Sequence, residues 1–388
     1  MQRLARTAPA RLLLATALML LALLLLAAPA MADDGDDDDD DDGRGRSGFV
    51  YTLTNAATGN EVAIFDRARD GTISPAGSVA TGGLGSGGGL GSQGALVLDD
   101  RRLFAVNAGS NTISSLEAGR RGVELLDTAP SGGVRPISVT AHRRLVYVLN
   151  AGAAGTPGNI SGFFVTRRGS LVPLPGSTRP LSTAAADPAQ VEFSPDGDHL
   201  VVTEKATNRI VTYRVGFLGF ASGPNAQPSA GQTPFGFAFD RRGNLIVSEA
   251  FGGAPDASVM SSYDLSRTGT VTPITPLVAT TETAACWVVV TRDGRYAYTT
   301  NTGSGSVSGY AVGRDGSLSL LDADGRTGVT GPGSTPIDAA LDRGSRFLYV
   351  LESGTHEIGV FEVNRDGSLD PLAGAGGLPA SAVGLAAS

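Results

Sequence analysis

The sequence predicts an all-β fold, a seven-bladed β-propeller built from four-stranded antiparallel blades. Three observations carry that expectation. A framework of two short apolar strands around a polar loop comes back seven times. Its copies lie 43 to 54 residues apart, room for one four-stranded sheet and its turns. The two ends of the chain are complementary parts of one unit. Composition agrees, with 54 Gly among 388 residues, 18% charged residues, and Val, Thr, Ile and Leu in short runs. That suits strands joined by tight turns, and nothing reads as a long helix.

The unit is plainest in LVVTEKATNRIVTY, Leu200 to Tyr213. Related stretches follow Val50, Leu103, Val146, Leu245, Tyr296 and Leu348, and the residue ending each second strand is Asn55, Asn107, Asn150, Glu204, Glu249, Asn301 or Glu352. Within a unit an innermost strand (VEFS, FGFAF, WVVVT, IDAAL) leads through a turn such as SPDG, DRRG or TRDG to the second strand. A third strand (RIVTYRV, SVSGYAV, EIGVFEV) then turns at RRG or RDG into a short outer strand. Radial repetition of such sheets leaves only short protected edges. The first copy, GFVYTLTN, lacks an innermost strand, and Leu378 to Ala387 reads as an innermost strand with nothing after it. The C-terminal strand is therefore expected to pair into the first blade and close the ring.

Ahead of the propeller, residues 1–32 follow an export pattern: Arg3, Arg6 and Arg11, an apolar run from Leu12 to Ala28, then Ala30-Met31-Ala32 as a cleavage site. A secreted or periplasmic protein is expected, the alternative being an uncleaved leader that anchors the chain in a membrane. Residues 33–48 form an acidic tail whose nine aspartates lie between Asp33 and Asp42, and residues 49–388 form the propeller. The formal charge of -8 is thus mostly that of the tail; without it and the three leader arginines the remainder is near -2. A charge run of this kind repels itself and stays solvated.

Blade geometry sorts the residues by face. If the innermost strands run downward, the seven marker residues lie at the top, and the turns that follow the first and third strands lie at the bottom. Twenty arginines fall in those bottom turns, among them Arg101 and Arg102, Arg143 and Arg144, Arg241 and Arg242, Arg292 and Arg295. A polyanion, or the chain's own acidic tail, is the partner such a face would take. No nucleic acid partner is expected, and a monomer is.

Chemistry-bearing residues are few. Cys286 is the single cysteine, so no internal disulfide forms, and a cysteine without a histidine nearby reads as a small buried hydrophobe. His142, His199 and His356 have no ligand spacing, so neither a metal nor another cofactor is expected. The glycines of Thr81 to Gly94 precede no helix and read as a flexible top-face loop rather than a phosphate cradle. The best constellation lies at the top of blades four to six, where a small polar ring-shaped molecule would be held. There Glu204 or Glu249 would act as general base, with Lys205 and Arg209 steadying an oxyanion. Gln190, Asn208, Phe235, Trp287 and Asn301 would contact the substrate. Each carboxylate could instead cap its own loop by accepting backbone N–H bonds.

The repeats YVLN, YTTN and YVLE, with SPDG and RDGSL, resemble the YVTN-type propellers. From about Phe49 onward the chain is similar to the lactonase family that includes 6-phosphogluconolactonases and carboxymuconate-cyclising enzymes. The resemblance implies a metal-independent lactone hydrolase or cyclase. It carries an acidic role onto Glu204 and a cationic one onto Arg209, with Asn208 standing where the family has Asp. Gln190 stands where the family has His, and Gln orients a substrate but moves no proton. A non-catalytic propeller that binds a protein or a surface polymer is the alternative.

Overall fold

The computed structural model describes residues 46–119 and 122–388. The export leader, the aspartate run, and the bottom-turn pair Arg120 and Arg121 lie outside the described residues. Among the described residues thirty strands form seven antiparallel sheets around one axis. Blade two takes Leu96–Asp99 as its innermost strand, followed outward by Arg102–Asn107, Thr112–Gly119 and Gly122–Pro130. The innermost strands of blades three to seven are Pro136–His142, Pro188–Phe193, Pro234–Phe239, Ala285–Val290 and Pro336–Leu341. In blades three and six the outermost position is shared by two short strands, Leu171–Pro173 with Arg179–Pro180, and Leu318–Leu320 with Gly328–Val329.

Blade one is assembled from both ends of the chain. Arg46–Leu53 pairs on one side with Glu61–Ala68 and on the other with the C-terminal strand Val383–Ala387, in a register that sets Val50 opposite Ala387 and Thr52 opposite Leu385. Ser388 fastens the pairing further. Phe49 N donates to Ser388 Oγ at 2.8 Å, Ser388 N to Phe49 O at 2.9 Å, and Arg67 Nη2 to Ser388 O at 2.9 Å. Ring closure thus rests on a strand contributed from more than 300 residues away, which removes the edge an open blade would expose.

The second strands are the most buried elements: every residue of His199–Glu204, Tyr296–Asn301 and Phe347–Glu352 is buried. Covered on both sheet faces by neighbouring blades, they are buried along their whole length without alternation, as strands covered on both faces are. Between blades a hydroxyl reaches across to the backbone of a turn glycine. Tyr147 Oη donates to Gly219 O at 2.8 Å, Thr212 Oγ1 to Gly269 O at 2.6 Å, Tyr298 Oη to Gly367 O at 2.8 Å, Tyr349 Oη to Gly71 O at 3.1 Å, and Ser115 Oγ to Gly169 O. These five glycines have φ between 82° and 91°, open to residues without a Cβ at no cost, so each turn can aim its carbonyl into the preceding blade. The glycine of the RRG and RDG turns is therefore a docking point as well as a bend.

Gly367 tests that role. A Cβ there would stand 2.5 Å from Tyr296 Cδ1 in a backbone held at φ 90°. Gly367→Ala is expected to lower unfolding free energy by about 2 kcal/mol or more, whereas Tyr298→Phe, which removes only the hydroxyl, costs about 1 kcal/mol. Denaturant unfolding of the two variants checks the order.

Candidate functional site

Six of the seven marker residues close a second strand and Asn55 lies just past Leu53, where its strand ends; all seven are buried polar ties. Glu204 is fully buried; its Oε1 accepts Ser182 N at 2.8 Å, and its Oε2 accepts Thr207 Oγ1 at 2.7 Å and the Ser182 hydroxyl. Glu249, also fully buried, accepts Gly231 N at 2.9 Å, Tyr263 Oη at 2.7 Å and Ser229 Oγ on Oε1, and Ser261 Oγ at 2.6 Å on Oε2. Burial, and after it the Glu249 charge, push the Tyr263 phenol up, which keeps it a donor. Asn301 does the same work with its amide, donating to Ser306 Oγ at 3.0 Å and Ser308 Oγ at 2.9 Å. These side chains reach the connector from the preceding blade, the loop beyond the marker, or their own third strand. Each of the two carboxylates accepts a backbone N–H, from the preceding connector and not from its own loop, and hydroxyls supply the other bonds.

The remaining top-face residues are also engaged. Asn208 sits at φ 52° and accepts Thr233 N at 2.8 Å, tying its loop to the connector that enters blade five. Arg209 Nη1 reaches Ala226 O at 3.5 Å, the outer limit of a hydrogen bond. Phe235 and Trp287 are buried with ring centroids 4.8 Å apart, and Trp287 Nε1 donates to Ser92 O at 2.9 Å. Lys205 Nζ donates to Gly91 O at 2.8 Å, lies 3.4 Å from Asp187 Oδ1, and stands 5.1 Å from the Phe235 ring centroid. Burial pushes the Lys205 pKa down and Asp187 partly restores it.

Ser92 and Gly91 belong to the glycine-rich segment expected to be a flexible top-face loop, and that segment is fixed in place. The segment Gly88 to Gln93 folds onto the axis. Asn55 Nδ2 holds Gly88 O at 2.6 Å, Ser92 Oγ donates to Ile137 O of blade three at 2.8 Å, and Gln93 N donates to Ala189 O of blade four at 3.1 Å. The Gln93 amide then brackets Val288 of blade six, donating to its carbonyl at 2.7 Å and accepting its N–H at 2.9 Å. A Cβ on Gly236 of blade five would fall 2.2 Å from Gln93 Oε1, so the missing side chain there makes room for the plug. What was expected to be a flexible loop over an aromatic floor is a plug bonded to that floor.

Gln190 repeats the bracket one blade earlier. Its Oε1 accepts Phe237 N at 2.8 Å and its Nε2 donates to Phe237 O at 2.9 Å. A carboxamide offers one donor and one acceptor in one plane, which matches a peptide N–H and C=O together, and a neutral imidazole cannot make that pair to one residue as well. Blades three and seven make the accepting half of that bracket: Ser138 Oγ accepts Val191 N at 3.1 Å, and Asp338 accepts the backbone N–H of Leu385.

Below the plug lies an axial cavity of about 430 Å³, lined by the innermost strands of blades one, two, three, four and seven. Neither Glu204 nor Glu249 lines it. Its polar groups include Gln93, Gln190, His142, Glu192 and Asp338. Burial raises the Glu192 carboxyl to about 8, and Gln190 Nε2 donates to its Oε2 at 2.9 Å. The Glu192 side chain is partly exposed to the cavity, although protein surrounds it. Asp338 is 3% exposed; burial pushes it well above the carboxylate range, and bonds from Ala339 N and Leu385 N pull it partly back. His142 Nε2 is buried without a hydrogen-bond partner among the described residues, its ring 5.7 Å from Phe193. Cys286 is buried and its thiol is pushed up to about 12, which leaves it protonated. Among the described residues no group of three or more His, Cys, Asp and Glu is placed to hold a metal ion.

The sequence reading missed Glu192, Asp338 and Gln93. The first two had a signal: VEFS and IDAAL are buried innermost strands that each carry one carboxylate in an otherwise apolar run. Gln93 had none, since its partner lies 195 residues away.

Fold and closure define a seven-bladed propeller with a plugged top and a carboxyl-lined axis. The family model described as Lactonase, 7-bladed beta-propeller matches residues 254–378 of this seven-bladed propeller. Solved structures share the fold. A protein from Lactobacillus plantarum aligns with a TM-score of 0.71 at 18% identity over 88% of this chain and 99% of its own. A candidate 6-phosphogluconolactonase from Bacteroides uniformis gives 0.68 at 20% over 87% and 98%. The periplasmic gluconolactonase of Pseudomonas aeruginosa gives 0.65 at 18% over 87% and 99%. A search of curated proteins returned no match.

If the Glu249 carboxylate is a structural tie, Glu249→Gln places an amide NH₂ against donors and lowers unfolding free energy by about 1–3 kcal/mol. Unchanged stability in denaturant would contradict the tie.

Proposed function

We propose that the chain is a lactone hydrolase whose chemistry takes place in the axial cavity, with Glu192 as its general base. The observation that carries this reading is a carboxyl titrating near 8 inside a cavity of about 430 Å³, within the roughly 300–1,000 Å³ range of small-molecule pockets. The match to the lactonase propellers supports the substrate class. A base works best with its pKa near the working pH. Above pH 8 the Glu192 carboxylate takes a proton from water as the water attacks the lactone carbonyl. Asp338, whose carboxyl burial pushes well above the carboxylate range, lines the same cavity. On ring opening the proton held by Glu192 passes to the leaving alkoxide, and the product is a hydroxy acid. With the leader of residues 1–32 removed, this reaction belongs outside the cytoplasm.

The filled top mouth favours a second reading, a non-catalytic propeller that binds a partner, because Lys205 and Trp287 are spent on Gly91 and Ser92 and the Glu204 and Glu249 carboxylates on ties.

Proton release from a panel of small lactones distinguishes the two. The expected result is turnover that falls about 100-fold or more in Glu192→Gln and persists in Glu204→Gln wherever that variant is folded. No turnover by the wild type would leave the binding propeller. Stability supplies an independent check. A carboxyl whose pKa rises from 4.5 to about 8 on folding contributes stability that is complete below 4.5 and lost as pH rises through 8. Glu192→Gln should therefore melt higher than wild type at pH 9 and close to it at pH 4.5.

A further inference from the structure

The bottom face holds a second cavity, away from the axis, that the hydrolase reading does not use. It measures about 510 Å³ and lies where turns of blades five, six and seven meet. Arg241, Arg292, Arg295 and Arg365 line it, and Asp293 is its single carboxylate. Asp293 is already committed, its Oδ1 accepting Thr291 Oγ1 at 2.7 Å and Arg295 N at 3.0 Å. The described ion pairs are Arg101–Glu117, Lys205–Asp187, Arg326–Glu282 and Arg343–Asp100, so none of the four pocket arginines is neutralised by an acid among the described residues.

The turns that carry these arginines are fastened to one another. Arg292 N donates to Ser345 Oγ at 2.9 Å, joining blades six and seven. Tyr296 Oη accepts from Arg295 Nη2 at 2.9 Å and donates to Arg365 O at 2.9 Å, so one phenol holds one guanidinium and the backbone of another arginine. The Arg241 stem packs over the turn of blade six, where a Cβ on Gly294 would lie 3.3 Å from Arg241 Cγ. Four cations gathered around one concavity repel one another, and a surface whose only need is solubility would spread them. Planar guanidinium forks match tetrahedral oxyanions through paired N–H bonds.

We propose that this pocket binds a compact polyanion of the oligophosphate type. Net charge within the lining favours a ligand with three or more negative charges, and the cavity is wider than one phosphate needs. Phosphoryl groups linked directly to one another bring that charge into this space, whereas carboxylates on a carbon chain supply a planar anion with fewer acceptor oxygens. The proposal stands apart from the hydrolase reading and survives its failure.

The test is calorimetric titration of the full-length protein with tripolyphosphate at low salt, with citrate as the carboxylate comparison. Two double variants remove equal charge from the same face: Arg241→Ala with Arg365→Ala in the pocket, and Arg143→Ala with Arg167→Ala, whose side chains line a different cavity. All four arginines are exposed, and melting temperature confirms folding. The pocket pair is expected to weaken tripolyphosphate about tenfold or more, the control pair less than about threefold. Equal loss in both pairs would reduce the effect to general surface charge and overturn the site, as would absence of binding by the wild type. Citrate binding as tight as tripolyphosphate would overturn the assignment to phosphate.

Discussion

The structure depends on satisfying the inner edge of its innermost strands. A propeller ends each sheet at the axis, and the last strand there presents peptide N–H and C=O groups that have no further strand to pair with. In a cavity only partly open to water, each unpaired group costs about 1–3 kcal/mol. The chain answers with side chains and backbone from the next strand around the ring. Ser138 serves Val191, Thr140 serves Phe193, Gln190 serves Phe237, Asp338 serves Leu385, and the carbonyl of Gly94 serves Val139. At blade five the corresponding residue is Gly236, which has nothing to offer Val288, and Gln93 takes its place from across the ring. The plug is thus an answer to a hydrogen-bonding need at blade six, and closing the top mouth is its consequence.

That constraint explains what could be read in the sequence and what could not. The blades were legible because each depends on local periodicity: apolar second strands, turn glycines at fixed offsets, and the marker that ends each second strand. Closure was legible because the first and last segments of the chain lack complementary strands. Six of the seven markers end their second strands and Asn55 lies beyond the end of its own at Leu53, but residue type alone did not tell a base from a tie. Glu249 is surrounded by Ser229, Ser261 and Tyr263, and only the fold brings those three hydroxyls together. The plug was not legible at all, because a glycine-rich segment has no side-chain pattern from which its path can be argued. Gln190 was noticed as a departure from a histidine, and its reason lies in a backbone bracket that no spacing in the sequence encodes.

Function follows from the same geometry. With the top sealed, the axial cavity is bounded above by Gln93 and Gln190, both spent on backbone, and its free chemistry falls to the level of Glu192. Asp338 is divided between Ala339 N and Leu385 N. Glu192 accepts only the Gln190 amide among the described hydrogen bonds, so its carboxyl is the group least accounted for by the needs of the fold. A carboxyl kept there against the cost of burial, in a protein that otherwise uses its buried acids as ties, is the strongest mark of a site. The arginine-rich turns surround the opposite face, where charge gathers in pockets of its own instead of pairing with the axis.

The most direct measurement is the titration of the Glu192 carboxyl itself, by carbon NMR of protein labelled at glutamate side chains, with Glu192→Gln identifying the resonance. The account predicts a midpoint near 8, the value at which a buried carboxyl can serve as base in mildly alkaline water. A midpoint near 4.5 would show a solvated surface-like carboxylate and contradict the assignment of chemistry to the axis.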